Sequence, residues 1–203
     1  MSPVRAILWD ADGVLQQPPS GWNWRAELER VGGPGFSDLV FEAELPSLRG
    51  EEPMRDALAR LLFEHPHTPL EADDLIGLWE MTDVDPSAVA LVDELRRRGK
   101  ACHLATNQQD HRRAWMRDVL GYDRHFDRVY YSCEMGVVKP DRRFFEIILD
   151  DLGLAPDQVG LIDDNAKNVA SAQALGIRAL RHSPAEGVNG LRALLEVMLA
   201  SSE

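Results

Sequence analysis

The chain has few cysteines, no long apolar run and no internal repeat, and each lack narrows what the protein can be. Its 203 residues include only two cysteines, Cys102 and Cys133. Nothing else in the sequence suggests secretion, so we expect both to be reduced thiols in a cytoplasmic protein. The apolar run near the N-terminus is too short for a signal peptide. No stretch approaches the roughly 20 apolar residues of a transmembrane helix, so we expect no membrane association.

Positive charge is also scarce. Lys and Arg number 22 against 34 Asp and Glu, which gives a formal net charge of -12. Contacts with a phosphate backbone need a clustered basic surface, so we expect no nucleic-acid partner. The same net charge repels small anions at long range. Any site for an anionic ligand must therefore be local and strongly positive, built from a metal ion or a few placed cations.

Five short apolar runs predict buried strands, and helical patterns separate them. The runs are continuous rather than alternating, which is typical of strands covered on both faces. They lie at residues 4–9, 100–106, 127–132, 158–162 and 176–181. Helical patterns follow Asp85-Pro86, Lys139-Pro140-Asp141 and Asn165, and another covers about 189–200. The alternation predicts an α/β fold with a doubly wound, Rossmann-like parallel sheet.

The interval between the first two strands is far longer than a simple crossover needs. It opens with the proline- and glycine-rich sequence QQPPSG and contains a second turn cluster, VGGPG. Its periodic parts, at 23–31, 52–64 and 71–81, predict helices. We therefore expect residues 16–84 to form a small helical cap domain, inserted into an α/β core of residues 1–15 and 85–203. The alternative is one ragged extension of the main core.

The polar residues that stand out come directly after the apolar runs. The first run ends in Asp10 and Asp12, and the second ends in Thr106-Asn107. A loop carrying Lys139 follows the third run, and the fourth ends in Asp163-Asp164. Ligands of open parallel sheets bind outside the carboxyl ends of the strands. We therefore expect these groups to converge at one edge of the sheet.

The acids in this set repel one another unless a cation compensates them. Mg²⁺ prefers oxygen ligands in octahedral geometry, usually one or two carboxylates with waters and a substrate phosphate. Lys139 would supply a cation opposite the metal, and Thr106 would supply a hydrogen-bond donor. Together they predict a pocket for a phosphoryl group. Each piece is common by chance, so the prediction depends on the ordered set, in which each member ends its own apolar run.

These motifs resemble those of the haloacid dehalogenase superfamily, in the branch with a helical cap inserted after the first motif. The matching segments are DADGV, ATN, VVKP and IDDN, in that order. The resemblance covers the whole chain, and the four motifs in order are highly specific.

The resemblance implies a role for each motif residue. Asp10 would be the nucleophile that forms an aspartyl-phosphate. Asp12 would be the general acid that protonates the leaving alkoxide, and then the base that activates water. The phosphoryl oxygens would be bound by Thr106, the Asn107 backbone and Lys139, and Lys139 would also restrain Asp10.

The resemblance also implies a metal site. Mg²⁺ would be held by a carboxylate oxygen of Asp10, the backbone carbonyl of Asp12 and the carboxylate of Asp164. Asp163 would have a water-mediated or orienting role.

The function that follows is a Mg²⁺-dependent phosphatase for a small phosphorylated metabolite, with a sugar phosphate as the first expectation. The dehalogenases that name the superfamily lack an acid at the position of Asp12, because halide leaves without needing a proton. Phosphoryl transfer is therefore favoured over dehalogenation. Two alternatives stay open: a phosphomutase with the same motifs, and a non-catalytic regulatory protein that binds a phosphate ligand. The oligomeric state, monomer or homodimer, is open as well.

Substrate choice would lie in the cap, where Trp22, Trp24 and Arg49 are candidates. An aromatic ring could stack on a sugar, and an arginine could hold a second anionic group. The alternative is that the tryptophans pack the core of the cap and Arg49 caps a helix. The Arg112-Arg113 pair could line the cap interface, but a solvated helix face is the simpler expectation. For His65-Pro66-His67, in a polar loop without nearby cysteines, we expect no metal.

Overall fold

The computed structural model describes residues 2–65 and 70–200, so Pro66 and His67 of the predicted histidine loop lie outside it. A five-stranded sheet forms its centre, and every pairing between neighbouring strands of this sheet is parallel. The strands in chain order are β1 (Ala6–Trp9), β2 (Gln16–Gln17), β3 (Asp83–Val84), β4 (Ala101–Thr106), β5 (Arg128–Tyr131), β6 (Val159–Asp163) and β7 (Arg178–Arg181). The spatial order in the large sheet is β5-β4-β1-β6-β7, which places β1 at its centre. The five predicted strands are confirmed.

Helices cover both faces of this sheet. The α-helices in chain order are α1 (Trp24–Gly32), α2 (Phe36–Leu48), α3 (Met54–Glu64), α4 (Ala72–Ile76), α5 (Pro86–Arg97), α6 (Asp110–Asp118), α7 (Ser132–Met135), α8 (Arg142–Leu152), α9 (Ala166–Ala174) and α10 (Gly187–Ala200). In β1, Ile7 and Trp9 pack in the hydrophobic cluster that contains residues of α5 and α10. Leu8 points the other way, into the cluster of α8 and α9. The predicted doubly wound α/β fold is therefore confirmed.

Local capping explains where the core helices begin. Asp85 precedes α5 and accepts hydrogen bonds from the backbone N–H groups of Ser87 and Ala88, while Pro86 takes the first helical position. Asp141 and Asn165 cap α8 and α9 in the same way. These caps fix the start of each helix beside the strand end or loop that precedes it, and so they fix the polar residues there.

The chain between β2 and β3 is helical and has its own apolar cluster. Strands β2 and β3 pair antiparallel and form a short ribbon at the ends of this segment. Between them lie α1 to α4 and a 3₁₀ turn at Gly77–Glu80. The buried side chains that these elements share include Leu28, Phe36, Val40, Met54, Leu58, Leu61 and Leu75. We propose that the ribbon marks the ends of the cap domain predicted at 16–84, with the core at 1–15 and 85–203.

Helix α2 was not predicted. It begins directly after Gly35, in the VGGPG cluster, and contains Pro46 in its last turn. Glycine and proline at these places usually indicate a turn or a helix end. For this reason no helix was predicted between them. The difference matters for function, because α2 contributes one wall of the cavity described below.

Two other sequence expectations have structural counterparts. Cys102 is buried and Cys133 is partly buried, and both are free thiols. No helix within the described residues has the length and apolar character needed to cross a bilayer.

Candidate active site

A cavity of about 500 Å³ opens at the carboxyl ends of β1, β4 and β6. It brings together most of the predicted site residues, which were far apart in sequence. The predicted residues that line it are Asp10, Asp12, Thr106, Asn107, Lys139 and Asp164. Asp163 is fully buried and does not line the cavity.

A buried ion cluster joins three parts of the chain behind this cavity. Lys139 Nζ lies 3.0 Å from Asp10 Oδ1 and 2.7 Å from Asp163 Oδ2. Asp163 Oδ1 also accepts hydrogen bonds from the backbone N–H of Asn165 and the Asn168 side chain, at the start of α9. Asp163 therefore orients Lys139 and the strand-to-helix turn.

Burial has opposite consequences for the charges in this cluster. Desolvation raises the pKa of the Asp10 carboxyl, although Lys139 acts in the opposite direction. For Lys139, burial favours the neutral amine, but Asp10 and Asp163 outweigh it and leave the pKa of the amine raised. Lys139 is thus held as a cation, while Asp10 needs more positive charge nearby to stay ionised.

The acids are also close enough to share a metal ion. Asp10, Asp163 and Asp164 each offer a carboxylate oxygen, and these oxygens all lie within 4.8 Å of one another. Burial and then the charge of Asp163 raise the pKa of Asp164. A divalent cation would offset the repulsion and favour the ionised forms of Asp10 and Asp164. The donor set therefore fits a hard cation such as Mg²⁺.

The space for Asp164 depends on Gly13. This glycine has a φ of 77°, in the left-handed region that favours glycine. A Cβ atom at position 13 would overlap the carboxylate carbon of Asp164. The glycine of the first motif therefore leaves room for an acid of the fourth motif.

The predicted phosphate-binding residues are held by contacts with one another. The side-chain amide of Asn107 donates to the backbone carbonyl of Lys139 and accepts from its backbone N–H, at 2.9 and 2.8 Å. This pair of bonds positions the Lys139 loop against the end of β4. Thr106 is buried, and its hydroxyl accepts a hydrogen bond from the side chain of Gln108 at 3.2 Å.

Asp12 has three partners that the sequence did not reveal. Its Oδ1 accepts hydrogen bonds from Arg112 Nη2 and Gln16 Nε2, both at 2.8 Å. Its Oδ2 accepts from Gln108 Nε2 at 2.7 Å. Arg112 also donates to the backbone carbonyl of Trp79, in the helical segment. The charged head of Arg112 therefore links Asp12 to that segment.

This contact corrects the expectation that Arg112-Arg113 forms a solvated face. The Arg112 side chain is only 5% exposed and lines the cavity. Arg113 lies on the same helix, but it pairs with Glu134 at 2.7 Å, away from the cavity. The sequence offered one weak signal, the position of Arg112 one turn after the Thr106-Asn107 motif.

The wall opposite the catalytic candidates comes from the helical segment. We call it the helical wall, and it consists of Pro18, Trp24, Phe41, Glu44, Leu48, Trp79, Met81 and Thr82. Glu44 Oε1 accepts a hydrogen bond from the indole N–H of Trp79 at 2.7 Å. Burial raises the pKa of Glu44 to about 7, and the Trp79 bond and the charge of Arg112 oppose it. No sequence motif singles out Glu44, because it lies in the helix that was not predicted.

Of the three candidate specificity residues, one lines the cavity and two do not. Trp24 lines the cavity, whereas Trp22 contacts Trp24 edge-on and is not part of the lining. Arg49 does not line the cavity either, and its guanidinium pairs with Glu51 at 2.6 Å. The hypothesis that Arg49 holds a second anionic group of the substrate is therefore wrong.

Comparison with known proteins identifies a family and several relatives that this chain resembles. The family model described as haloacid dehalogenase-like hydrolase matches residues 4–176. Phosphoserine phosphatase of Thermus thermophilus is 36% identical over 126 residues, which cover 58% of this chain and 51% of that protein. The chain thus spans about half the length of this relative. Phosphorylated carbohydrates phosphatase of Thermotoga maritima is 23% identical over 202 residues, which cover 95% of this chain and 91% of that protein.

A solved structure gives the same fold. A haloacid dehalogenase family enzyme of Bacteroides thetaiotaomicron, solved as a magnesium complex, matches with a TM-score of 0.82 at 19% identity. The match covers 94% of this chain and 99% of the other.

The close approach of Gly13 to Asp164 gives a first prediction. In Gly13→Ala the new methyl group displaces the Asp164 carboxylate, so we expect Mg²⁺ affinity to fall by about tenfold or more. Isothermal titration with Mg²⁺ measures this. Gly21→Ala is the matched control, since Gly21 has a φ of 80° and open space where its Cβ would lie. Equal losses in the two variants would show that backbone strain, rather than the displaced carboxylate, is responsible.

The raised pKa of Glu44 gives a second prediction. The folded state holds the Glu44 proton more tightly than the unfolded state, whose pKa is near 4.5, so stability falls as pH rises from 4.5 to about 7. Glu44→Gln removes this loss. Relative to the wild type, we expect its free energy of unfolding to gain about 1 to 3 kcal/mol between pH 4.5 and pH 8.

Urea unfolding at several pH values measures this difference. Glu42→Gln is the control, because Glu42 lies on the same helix and is exposed. A pH-independent difference between Glu44→Gln and the wild type would contradict the buried-acid explanation.

Proposed function

The chain belongs to the haloacid dehalogenase-like hydrolases, and we propose that it is a Mg²⁺-dependent phosphatase that acts on a small phosphorylated metabolite. The observation that carries the proposal is Asp12, a second carboxylate on the wall of the cavity that also holds Asp10. Departure of an alkoxide needs a proton donor, whereas departure of a halide does not. Two phosphatases among the relatives support the same reaction class.

In the proposed mechanism Asp10 attacks phosphorus and forms an aspartyl-phosphate. Its Oδ1 receives hydrogen bonds from Lys139 Nζ and from the backbone N–H of Ala11, at 3.0 and 2.8 Å. These two donors fix the orientation of the carboxylate before the substrate binds. Nucleophilic catalysis then divides one difficult displacement into two easier ones.

Asp12 would protonate the alkoxide that leaves in the first step. In the second step it would remove a proton from the water that attacks the phosphorus of the aspartyl-phosphate. Arg112, Gln16 and Gln108 all donate to its carboxylate, and so they fix its position on the cavity wall. We therefore assign Arg112 as a positioning residue for Asp12.

The metal site would use residues already close together. Asp10, Asp164 and the backbone carbonyl of Asp12 would hold Mg²⁺, with Asp163 orienting the site through Lys139. When bound, Mg²⁺ neutralises charge on the phosphoryl group. Thr106, the Asn107 backbone and Lys139 would bind the phosphoryl oxygens from the other side. A sugar phosphate remains one candidate substrate, because the Trp24 ring lines the cavity.

The central test measures phosphate release. We expect Mg²⁺-dependent release from at least one member of a panel of sugar, nucleotide and small-acid phosphates. A chelator should abolish it, and Asp10→Asn should reduce it by about 10⁴-fold or more, because the nucleophile is lost. Asp83→Asn is the control, since Asp83 is exposed on the ribbon. Phosphate transfer between substrate hydroxyls without release would favour a phosphomutase, and binding without any turnover would favour a regulatory protein.

The contact between Arg112 and Asp12 gives a separate prediction. Arg112→Met should lower kcat by about 10- to 100-fold with a smaller effect on KM, because it frees the acid–base carboxylate without touching the phosphate site. It should also change the pH profile of kcat. Arg113→Met is the matched control, one position along the same helix and paired with Glu134. A loss confined to KM would show that Arg112 binds substrate instead.

A further inference from the structure

The helical wall has an unusual composition for a surface that faces a phosphate site. Six of its eight side chains are apolar, Thr82 carries a hydroxyl, and Glu44 is the only ionisable one among these lining residues. The catalytic side of the cavity, by contrast, carries several charges of both signs. A ligand whose phosphate lies against Lys139 would therefore present its leaving group to an apolar surface with one carboxylate.

Glu44 lacks a cationic partner of its own. One carboxylate oxygen accepts the Trp79 indole N–H. Within residues 2–65 and 70–200, no hydrogen bond reaches Oε2, and no Lys or Arg forms an ion pair with Glu44. Arg112 is the nearest cation to influence it, but its guanidinium is already bound to Asp12 and to the Trp79 carbonyl.

A carboxylate in such a place is costly unless a cation joins it. Glu44 is half-buried, and the loss of water around its carboxyl is the largest cause of its raised pKa. A bound cation would remove that cost, and a bound anion would increase it. The wall therefore disfavours substrates with a second acidic group on the leaving side.

The aromatic side chains beside Glu44 favour the same ligand. The rings of Trp24 and Trp79 lie 5.4 Å apart at an interplanar angle of 52°. Faces of indole rings attract cations, most strongly when water is excluded. The Phe41 ring already has the Arg25 guanidinium over it, 5.3 Å from its centre, so the tryptophans are the rings that remain for a ligand.

From these contacts we propose that the leaving group of the substrate carries a protonated amine, bound by Glu44 beside the rings of Trp24 and Trp79. The proposal rests on the phosphatase function above and names its substrate class, the phosphate monoesters of amino alcohols. A sugar fits less well, because its several hydroxyl groups would need several polar partners. The helical wall supplies Glu44 and Thr82, and the Thr82 hydroxyl already donates to the backbone carbonyl of Gln17.

The test compares two matched series of esters, ω-aminoalkyl phosphates and ω-hydroxyalkyl phosphates of equal chain length, with a sugar phosphate as a third arm. Phosphate release is measured at neutral pH with Mg²⁺. At the best chain length we expect kcat/KM for the amine to exceed that for the alcohol by about 10- to 100-fold, the effect of a charge-assisted hydrogen bond. Glu44→Gln should reduce this ratio to about one. Glu42→Gln should keep the wild-type ratio.

The outcomes separate the two proposals. Release from the hydroxyalkyl or sugar esters with no preference for amines would overturn the amine subsite and leave the phosphatase function intact. A preference that survives Glu44→Gln would also overturn it.

If no ester releases phosphate, the phosphatase function fails, and calorimetric binding of both esters to Asp10→Asn decides on the subsite. Tighter binding of the aminoalkyl ester that disappears in the Asp10→Asn/Glu44→Gln double variant supports the subsite. Equal binding of the two esters rules it out.

Discussion

The buried contact of Lys139 with Asp10 and Asp163 is the interaction on which the site depends. It joins the ends of β1 and β6 to the loop before α8, and the Asn107 side chain ties that loop to the end of β4. A buried charge without its partner costs several kcal/mol, so none of the three groups is free to leave the cluster. Because parallel strands end at the same edge of the sheet, the fold can bring these residues together although they are far apart in sequence. The geometry of the cavity follows from this requirement for charge pairing.

Asp12 lies where the sheet meets the helical segment, and its contacts come from both. Gln108 and Arg112 reach it from the region after β4, while Gln16 reaches it from the ribbon that leads into the helical segment. Arg112 also holds the carbonyl of Trp79. A shift of the helical segment relative to the sheet would therefore change the contacts of Asp12. Among residues 2–65 and 70–200, no hydrogen bond or ion pair joins Lys139, Asp10 or Asp163 to that segment. The position of the proposed acid–base group is tied to the segment that also forms the helical wall.

The sheet and most of the site were predictable because their signals are local. An apolar run covered on both faces reads as a buried strand, and a polar residue that ends the run lies at the strand end. Asp10, Thr106 and Asp164 were predicted to lie at the cavity in this way, and Lys139 was predicted from the loop that follows the third run. Arg112 and Glu44 were not, because their importance comes from tertiary contacts: an arginine on an amphipathic helix looks the same whether it faces solvent or a buried carboxylate. The hypothesis about Arg49 was wrong because a local contact was overlooked. Glu51, two residues away, forms an ion pair with its guanidinium.

The two sides of the cavity differ in how their negative charges are compensated, and this difference affects which ligand can bind to both. On the sheet side, Lys139 compensates part of the negative charge, and the close approach of Asp10, Asp163 and Asp164 leaves a deficit that a divalent cation would fill. On the helical wall, the one hydrogen bond that Glu44 receives from the described residues comes from the neutral indole N–H of Trp79. A phosphate dianion can bind at the sheet side once the metal is bound, but it does not compensate the charge of Glu44 on the helical wall. A ligand that carries negative charge at one end and positive charge at the other would satisfy both sides at once, and the proposed phosphorylated amino alcohol has that distribution.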